Sequence, residues 1–292
     1  MANEREERGR SMLLSFQVIT DTHVTAKAEH AYNRNLERAL RDIAAEAPAT
    51  DGIMHAGDVT NHGFMREYRE WRRIWSRFSG KLPAPLAAAG NHDVGLGIWR
   101  LRMSRFLHGT GMEAGYHDHW IKGYHFIFLG TEKAHKLHCS LSKKQLAWLE
   151  AKLGEGDSPE QPTFLFLHQP LLNTVSGSYQ DQGWWGVRQD RELRDILARH
   201  PQAFIFTGHT HWELAARNCC FDGDGELPHM FNVASVAYLW TDEGKYLEGS
   251  QGLYVEVYRD RVVVRGRDFA RGAWLEKARF EVIERRLSRG VS

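Results

Sequence analysis

Ala203-Phe204-Ile205-Phe206-Thr207-Gly208-His209-Thr210-His211 is an apolar run that stops at a glycine and presents two histidines two positions apart. In extended backbone, residues i and i+2 point to the same side. His209 and His211 are therefore expected to face one point in space, with Gly208 letting the chain bend there without a Cβ clash. Two imidazoles aimed at one point suit a metal ion, although a lone His-x-His pair is a weak signal. Its weight comes from four other segments of the same design.

Upstream, residues 13–19 read as a buried strand that delivers Asp21-Thr22-His23 at its end. Residues 52–56 form a second short strand ending in Gly57-Asp58, and residues 86–89 a third ending in Gly90-Asn91-His92-Asp93. Residues 163–167 end in His168-Gln169-Pro170. Helical spacing separates these strands. Tyr32, Leu36, Leu40 and Ile43 share a face that Pro48 limits, and Phe64, Tyr68, Trp71, Trp75 and Phe78 make an aromatic face suited to packing on a sheet. Ser142-Lys143-Lys144-Gln145 has the form of a capping box before Leu146, Leu149 and Leu153, and residues 189–199 form a helix stopped by Pro201. Residues 124–129 begin a second sheet. Residues 231–239, 252–258, 261–267 and 280–283 read as antiparallel strands, the middle two joined at Arg259-Asp260. From about residue 230 they are expected to complete the second sheet. The fold class is α/β, with residues 1–11 a disordered head and 12–285 a single domain.

Composition narrows the classes. With 42% apolar and 26% charged residues the chain suits a soluble globular protein, and a formal charge of +1 leaves no bulk electrostatic case for nucleic acid or an anionic membrane. Its three cysteines, two of them the adjacent Cys219-Cys220, make no disulfide framework, so a reducing, cytoplasmic location is expected. The charged start runs straight into a strand instead of a signal-peptide cleavage site. No apolar stretch approaches the ~20 residues that span a bilayer.

Five strand ends thus carry Asp21, His23, Asp58, Asn91, His92, His168, His209 and His211. In open α/β sheets functional groups collect outside the carboxyl ends of strands, so these side chains can meet although they are distant in sequence. A mixed nitrogen and oxygen set without thiolate suits Mn, Fe, Zn or Co better than a structural zinc. It holds too many donors for one open catalytic ion and about enough for two that share Asp58. Asp93 is expected to orient a neighbour, while His55 and the His117-Asp118-His119 segment, taken as a loop, read as structural.

The ordered set D-x-H, G-D, G-N-H-D, H, G-H-x-H, covering residues 16–211, resembles the calcineurin-like metallophosphoesterase family. That resemblance implies a four-layer α-β-β-α sandwich, two facing mixed sheets flanked by helices. It implies that Asp21, His23, Asp58 and His211 hold a first metal, that Asp58, Asn91, His168 and His209 hold a second, and that His92 sits beside the substrate phosphoryl group. In such a site two ions clamp the attacking and leaving oxygens, and a hydroxide held between them attacks phosphorus. Asn91 and His92, adjacent in extended backbone, would point apart, one to metal and one to substrate.

Protein phosphatases of this family carry G-D-x-x-D-R-G where this chain has Gly57-Asp58-Val59-Thr60-Asn61-His62-Gly63. Asn61 lacks the charge of the second Asp, and His62 lacks the bidentate fork of Arg. The form is more similar to the bacterial cyclic-nucleotide and glycerophosphodiester phosphodiesterases, so a small phosphodiester is the expected substrate; phosphomonoesterase, nuclease and non-catalytic scaffold are the competing readings. Residues 94–123 and 171–186, irregular in pattern, are the expected substrate loops. Asn61, His62, Trp184, Trp185 and Tyr179 are candidate substrate contacts, and the C-terminal hairpin suits a homo-oligomer edge.

Overall fold

The computed structural model describes residues 11–155, 161–183 and 185–283. The expected disordered head, Ser11 apart, and Trp184 lie outside them. One six-stranded sheet has the order β14-β13-β12-β1-β2-β3, built from β1 (Leu14–Ile19), β2 (Gly52–His55), β3 (Leu86–Ala87), β12 (Gln251–Val257), β13 (Arg261–Asp268) and β14 (Ala273–Ile283). A second has the order β4-β5-β6-β7-β9-β8, built from β4 (His117–Ile121), β5 (Tyr124–Phe128), β6 (Thr163–Phe166), β7 (Ala203–Thr207), β8 (Cys220–Phe221) and β9 (His229–Asn232). A separate two-stranded ribbon joins β10 (Leu239–Trp240) to β11 (Tyr246–Leu247).

Strand alternation explains the layers. Phe16 and Val18 of β1, Phe164 and Phe166 of β6 and Phe206 of β7 turn inward and form one cluster between the sheets. Phe16 meets Phe164 edge-on, with ring centroids 4.8 Å apart, and Phe166 stacks on Phe128 at 4.6 Å. The other face of the first sheet, with Ile19 and Ile53, packs under helices α1 (Ala31–Glu46), α2 (Met65–Ser76) and α4 (Trp99–Thr110). Leu165 and Ile205, on the other face of the second sheet, pack under α5 (Lys143–Leu153) and α6 (Asp190–Leu197). The result is the α-β-β-α sandwich with two mixed sheets.

Four expectations need correction. Of the expected C-terminal strands only the first enters the second sheet, as β9 beside β7: β12 pairs antiparallel with the free edge of β1, and β13 and β14 follow it, whereas β8 takes the edge beside β9. Strand periodicity tells which face is apolar but not which edge is open. Residues 94–123 are not irregular. They hold α4, whose Met103 and Phe106 are buried while Leu101 and the cap residue Ile98 face solvent and blur the period, and β4, so His117-Asp118-His119 is strand and not loop. The expected strand 231–239 breaks after Asn232, with Ala234 in the left-handed region at φ 62°. The capping box is half formed: Ser142 Oγ accepts from Gln145 N, but the buried Gln145 side chain donates to Gly130 O and Glu132 Oε2.

Candidate metal centre

β1, β2 and β3 are parallel in one sheet, as are β6 and β7 in the other, so their C-terminal ends lie at one edge of the sandwich. The loops that leave them are tied together: Asp21 N donates to Gly57 O, His23 N to Asp58 O and Gly208 N to His168 O. Asp21, His23, Asp58, His209 and His211 all have positive φ, between 44° and 69°. The histidine pair therefore converges through left-handed turns, not through the extended backbone expected for it. Such strain in non-glycine residues costs on the order of 1–3 kcal/mol each and clusters at functional sites. Gly208 acts differently too. A Cβ there would collide with Thr20 Oγ1 and Asp21 Oδ2, so the glycine makes room for a carboxylate from another strand end.

The donor atoms converge. Asp21 Oδ1 lies 2.9 Å from His211 Nε2, 3.5 Å from His23 Nε2 and 3.9 Å from His168 Nε2. Asp58 Oδ2 lies 3.2 Å from His168 Nε2 and 3.8 Å from His23 Nε2, so it reaches both groups of imidazoles. His168 Nδ1 is 2.9 Å from Ala56 O and His211 Nδ1 is 3.1 Å from Tyr238 O. Those carbonyls can only accept, which puts the ring protons on Nδ1 and turns the Nε2 lone pairs inward. His209 is half-buried, with its ring 5.2 Å from that of His168, and its backbone N–H donates to Asp21 Oδ2. Asn91 is buried; its Oδ1 accepts from Gln169 Nε2 at 3.1 Å and keeps a second lone pair, while its Nδ2 donates to Lys136 O. Asn91 and His92 occupy the short helix α3 (Asn91–Val94), not extended chain, and diverge because consecutive helical residues are turned about the axis.

The fit of these residues to cations rests on their unpaired donors. With their ring protons on Nδ1, His211 and His168 face Asp21 Oδ1 and Asp58 Oδ2 acceptor to acceptor at 2.9 and 3.2 Å. That leaves Asp21 Oδ1 and His168 Nε2 buried without a donor among the described residues. Two fully buried carboxylates also need compensating positive charge. Burial alone would raise Asp58, but His168 and His92 outweigh it and hold the carboxyl below its usual range. Burial would likewise strip His168 of its proton, yet the carboxylates of Asp58 and Asp21 push it up to about 9; the pull that retains that proton is a pull on any cation. Asp21, His23 and His211 form one set of donors within 4.8 Å of one another, Asp21, Asp58 and His168 a second, and His23, Asp58 and His92 a third. Asp118, His125 and Glu155 also lie close together, but Lys152 Nζ already pairs with both carboxylates at 3.1 Å.

His92 borders the cluster, its ring edge-on to His23 at 4.6 Å. Its Nδ1 meets Asn61 O at 2.8 Å and its backbone N–H donates to Asp58 Oδ1. His62 stands half-exposed on the buried Glu67, Nδ1 to Oε1 2.9 Å, beside Asn61. Trp185 is half-exposed near His138, while the Tyr179 hydroxyl is tied to Thr174 O. Asp93 accepts from the Val59 and Thr60 amides, Thr60 Oγ1 and Tyr68 Oη, so it orients the Asp58 loop. His55 bridges Thr22 Oγ1 and the Gly57 N–H, a structural role.

Three neighbours were not foreseen. Gln169 fixes Asn91, and its position next to His168 was the available signal. Arg102 of α4 donates to Gly63 O at 3.0 Å and caps the His62 loop. Tyr238 supplies the carbonyl behind His211, and no sequence pattern marked it.

Residues 14–213 match the calcineurin-like phosphoesterase family, and the chain belongs to it. It is a metal-dependent phosphoric ester hydrolase. Over 208 residues it is 29% identical to a probable cyclic nucleotide phosphodiesterase of Synechococcus sp., covering 70% of this chain and 75% of that one. It is 28% identical over 203 residues to the 3′,5′-cyclic adenosine monophosphate phosphodiesterase CpdA of Escherichia coli, covering 67% and 69%. In fold it is similar to a dimetal phosphatase from Danio rerio, with a TM-score of 0.67, 14% identity and coverage of 94% of this chain and all of that one.

Proposed function

We propose that this protein hydrolyses small phosphodiesters at a dinuclear metal centre, and that residues 12–285 act as one catalytic unit in the cytoplasm. The observation that carries the reading is Asp58 Oδ2, which lies within 3.8 Å of both His23 and His168 and suits a carboxylate shared between two ions. Asp21, His23, Asp58 and His211 would hold one ion, and Asp58, Asn91, His168 and His209 the other, drawn from Mn, Fe, Zn or Co. Bound there, such ions supply Lewis acidity and an activated water at neutral pH.

The protein's own groups do the rest. With Nδ1–H given to Asn61 O, His92 has Nε2 free to meet the phosphoryl oxygens or the leaving alkoxide. Burial pulls the His92 pKa down, but Asp58, the Asn61 carbonyl and Asp21 together raise it above its ordinary value. Asn61 and His62, in place of the Asp and Arg of the protein phosphatases, remove one full cation from the substrate side. A diester carries one fewer negative charge than a monoester and loses less by that change. The phosphodiesterase names of the relatives support the same choice. The cytoplasmic placement rests on three free cysteines.

A phosphoester panel tests the reading after separate reconstitution with Mn, Fe, Co and Zn. Bis(p-nitrophenyl) phosphate should turn over faster than p-nitrophenyl phosphate and single-stranded DNA, and Asp58→Ala or His209→Ala should abolish the turnover. Wild-type rates in either variant would refute the assignment of the site, and preference for the monoester or DNA would refute the substrate class.

A further inference from the structure

Beside the ligand cluster, four aromatic rings run outward from His211 to the surface. The Tyr238 ring lies 4.3 Å from that of His211 and 6.0 Å from that of His23. Tyr32, from the first turn of α1, sits 5.6 Å from Tyr238, and Tyr246 of β11 stacks on it at 5.7 Å. The planes of Tyr32 and Tyr246 are tilted from that of Tyr238 by only 31° and 27°. Trp240 stands perpendicular to Tyr238 and Tyr246, at 86° and 83°, and braces their edges. The ribbon that carries Trp240 is bonded to the histidine loop itself, Trp240 N donating to His211 O at 2.8 Å.

Packing alone does not account for this stack. Tyr246, its outer member, is 54% exposed, and Tyr32 and Tyr238 are half-buried. A core-filling tyrosine buries its ring and satisfies its O–H. Here the outermost ring, Tyr246, is left half in solvent at the end of a stack that starts on His211.

We propose that Tyr246, backed by Tyr238 and Tyr32, is a shelf that binds the planar base of a nucleoside phosphoester, an inference that rests on the phosphoesterase reading above. Every base has a π-face that stacks on an aromatic side chain, and the phenol groups add donors for ring nitrogens or sugar hydroxyls. The near-parallel planes distinguish the shelf from an aromatic box for a quaternary ammonium group, which surrounds a cation with ring faces. The shelf lies on the His23 and His211 side, away from the loop that carries Trp185.

The test compares Mn-loaded wild type, Tyr246→Ala and Tyr246→Phe on 3′,5′-cyclic AMP, glycerophosphoethanolamine and glycerophosphocholine. The ratio of kcat/KM for the nucleotide to that for the ethanolamine diester should fall about tenfold in Tyr246→Ala, through KM, and Tyr246→Phe should restore it. An unchanged ratio, or an equal fall for all three esters, overturns the shelf; a selective fall for glycerophosphocholine replaces it with an ammonium cage. Equilibrium dialysis of AMP against ribose 5-phosphate decides the matter independently of turnover. Tyr246→Ala should weaken AMP about tenfold relative to the sugar phosphate, and an unchanged ratio refutes base binding. Should wild type hydrolyse none of the esters, the phosphoesterase reading fails while the dialysis still judges the shelf.

Discussion

Asp58 Oδ2 faces His168 Nε2 across 3.2 Å, although the two residues leave different sheets. Neither arrives there by its own strand alone. The backbone N–H of His92 holds the other Asp58 oxygen, and Ala56 O holds the far side of the His168 ring. The carboxylate and the imidazole are thus each held from behind by a backbone group, the support that orients ligands in a metal site.

His92 stands against the ligand set, its ring edge-on to His23 and its backbone N–H on Asp58 Oδ1, while its Nδ1 is committed to Asn61 O. Replacing it with alanine should lower kcat on bis(p-nitrophenyl) phosphate by about 10²- to 10⁴-fold, the usual loss for a general acid. Metal content should stay at the wild-type value, and steady-state kinetics with elemental analysis of the same sample checks both.

Gln169 holds Asn91 through a 3.1 Å bond between two buried side chains. Gln169→Leu should therefore weaken metal retention about 10- to 100-fold, the typical cost of losing a partner behind a ligand. Titration of apo-protein with Mn, followed by water-proton relaxation, measures that affinity without reference to turnover. Unaltered affinity would mean that Asn91 is held in place by its bond to Lys136 O alone.

The readable part of this molecule was the set of strand ends. Asp21, His23, Asp58, Asn91, His168, His209 and His211 each follow an apolar run whose end is marked by polar residues or glycine, and the structure gathers them at one edge of the sandwich. The manner of convergence was not readable. Positive φ at Asp21, His23, Asp58, His209 and His211 is imposed by bonds between loops distant in sequence, such as Asp21 N to Gly57 O. For the same reason the break after Asn232 was missed. It is made by Val236 N and Ala237 N bonding back to Thr20 O and Asp21 O, and those partners are invisible in the local pattern. Helix α4 escaped because its exposed Leu101 and the exposed Ile98 that caps it mimic buried positions.

Away from the site, His117 stacks on Phe128 at 4.7 Å and its Nε2 meets Ala87 O at 3.1 Å. Burial pushes its pKa from the ordinary 6.5 down to about 4. The unfolded chain therefore takes up this proton at higher pH than the folded protein does. The associated stability is complete above 6.5 and is lost as pH falls towards 4. His117→Phe keeps the stacking and removes the titration. Urea unfolding of both proteins at pH 7.5, 5.5 and 4.5 should show wild type losing on the order of 2 kcal/mol more than the variant across that range. Parallel losses would contradict the buried-histidine account.

The central claim is that one aspartate is shared by two ions, and elemental analysis of Mn-reconstituted protein addresses it most directly. Wild type should carry two Mn per chain, and Asp58→Ala should lose both ions, because the substitution removes a donor from each. One Mn per chain in wild type, or full occupancy in Asp58→Ala, would contradict the claim.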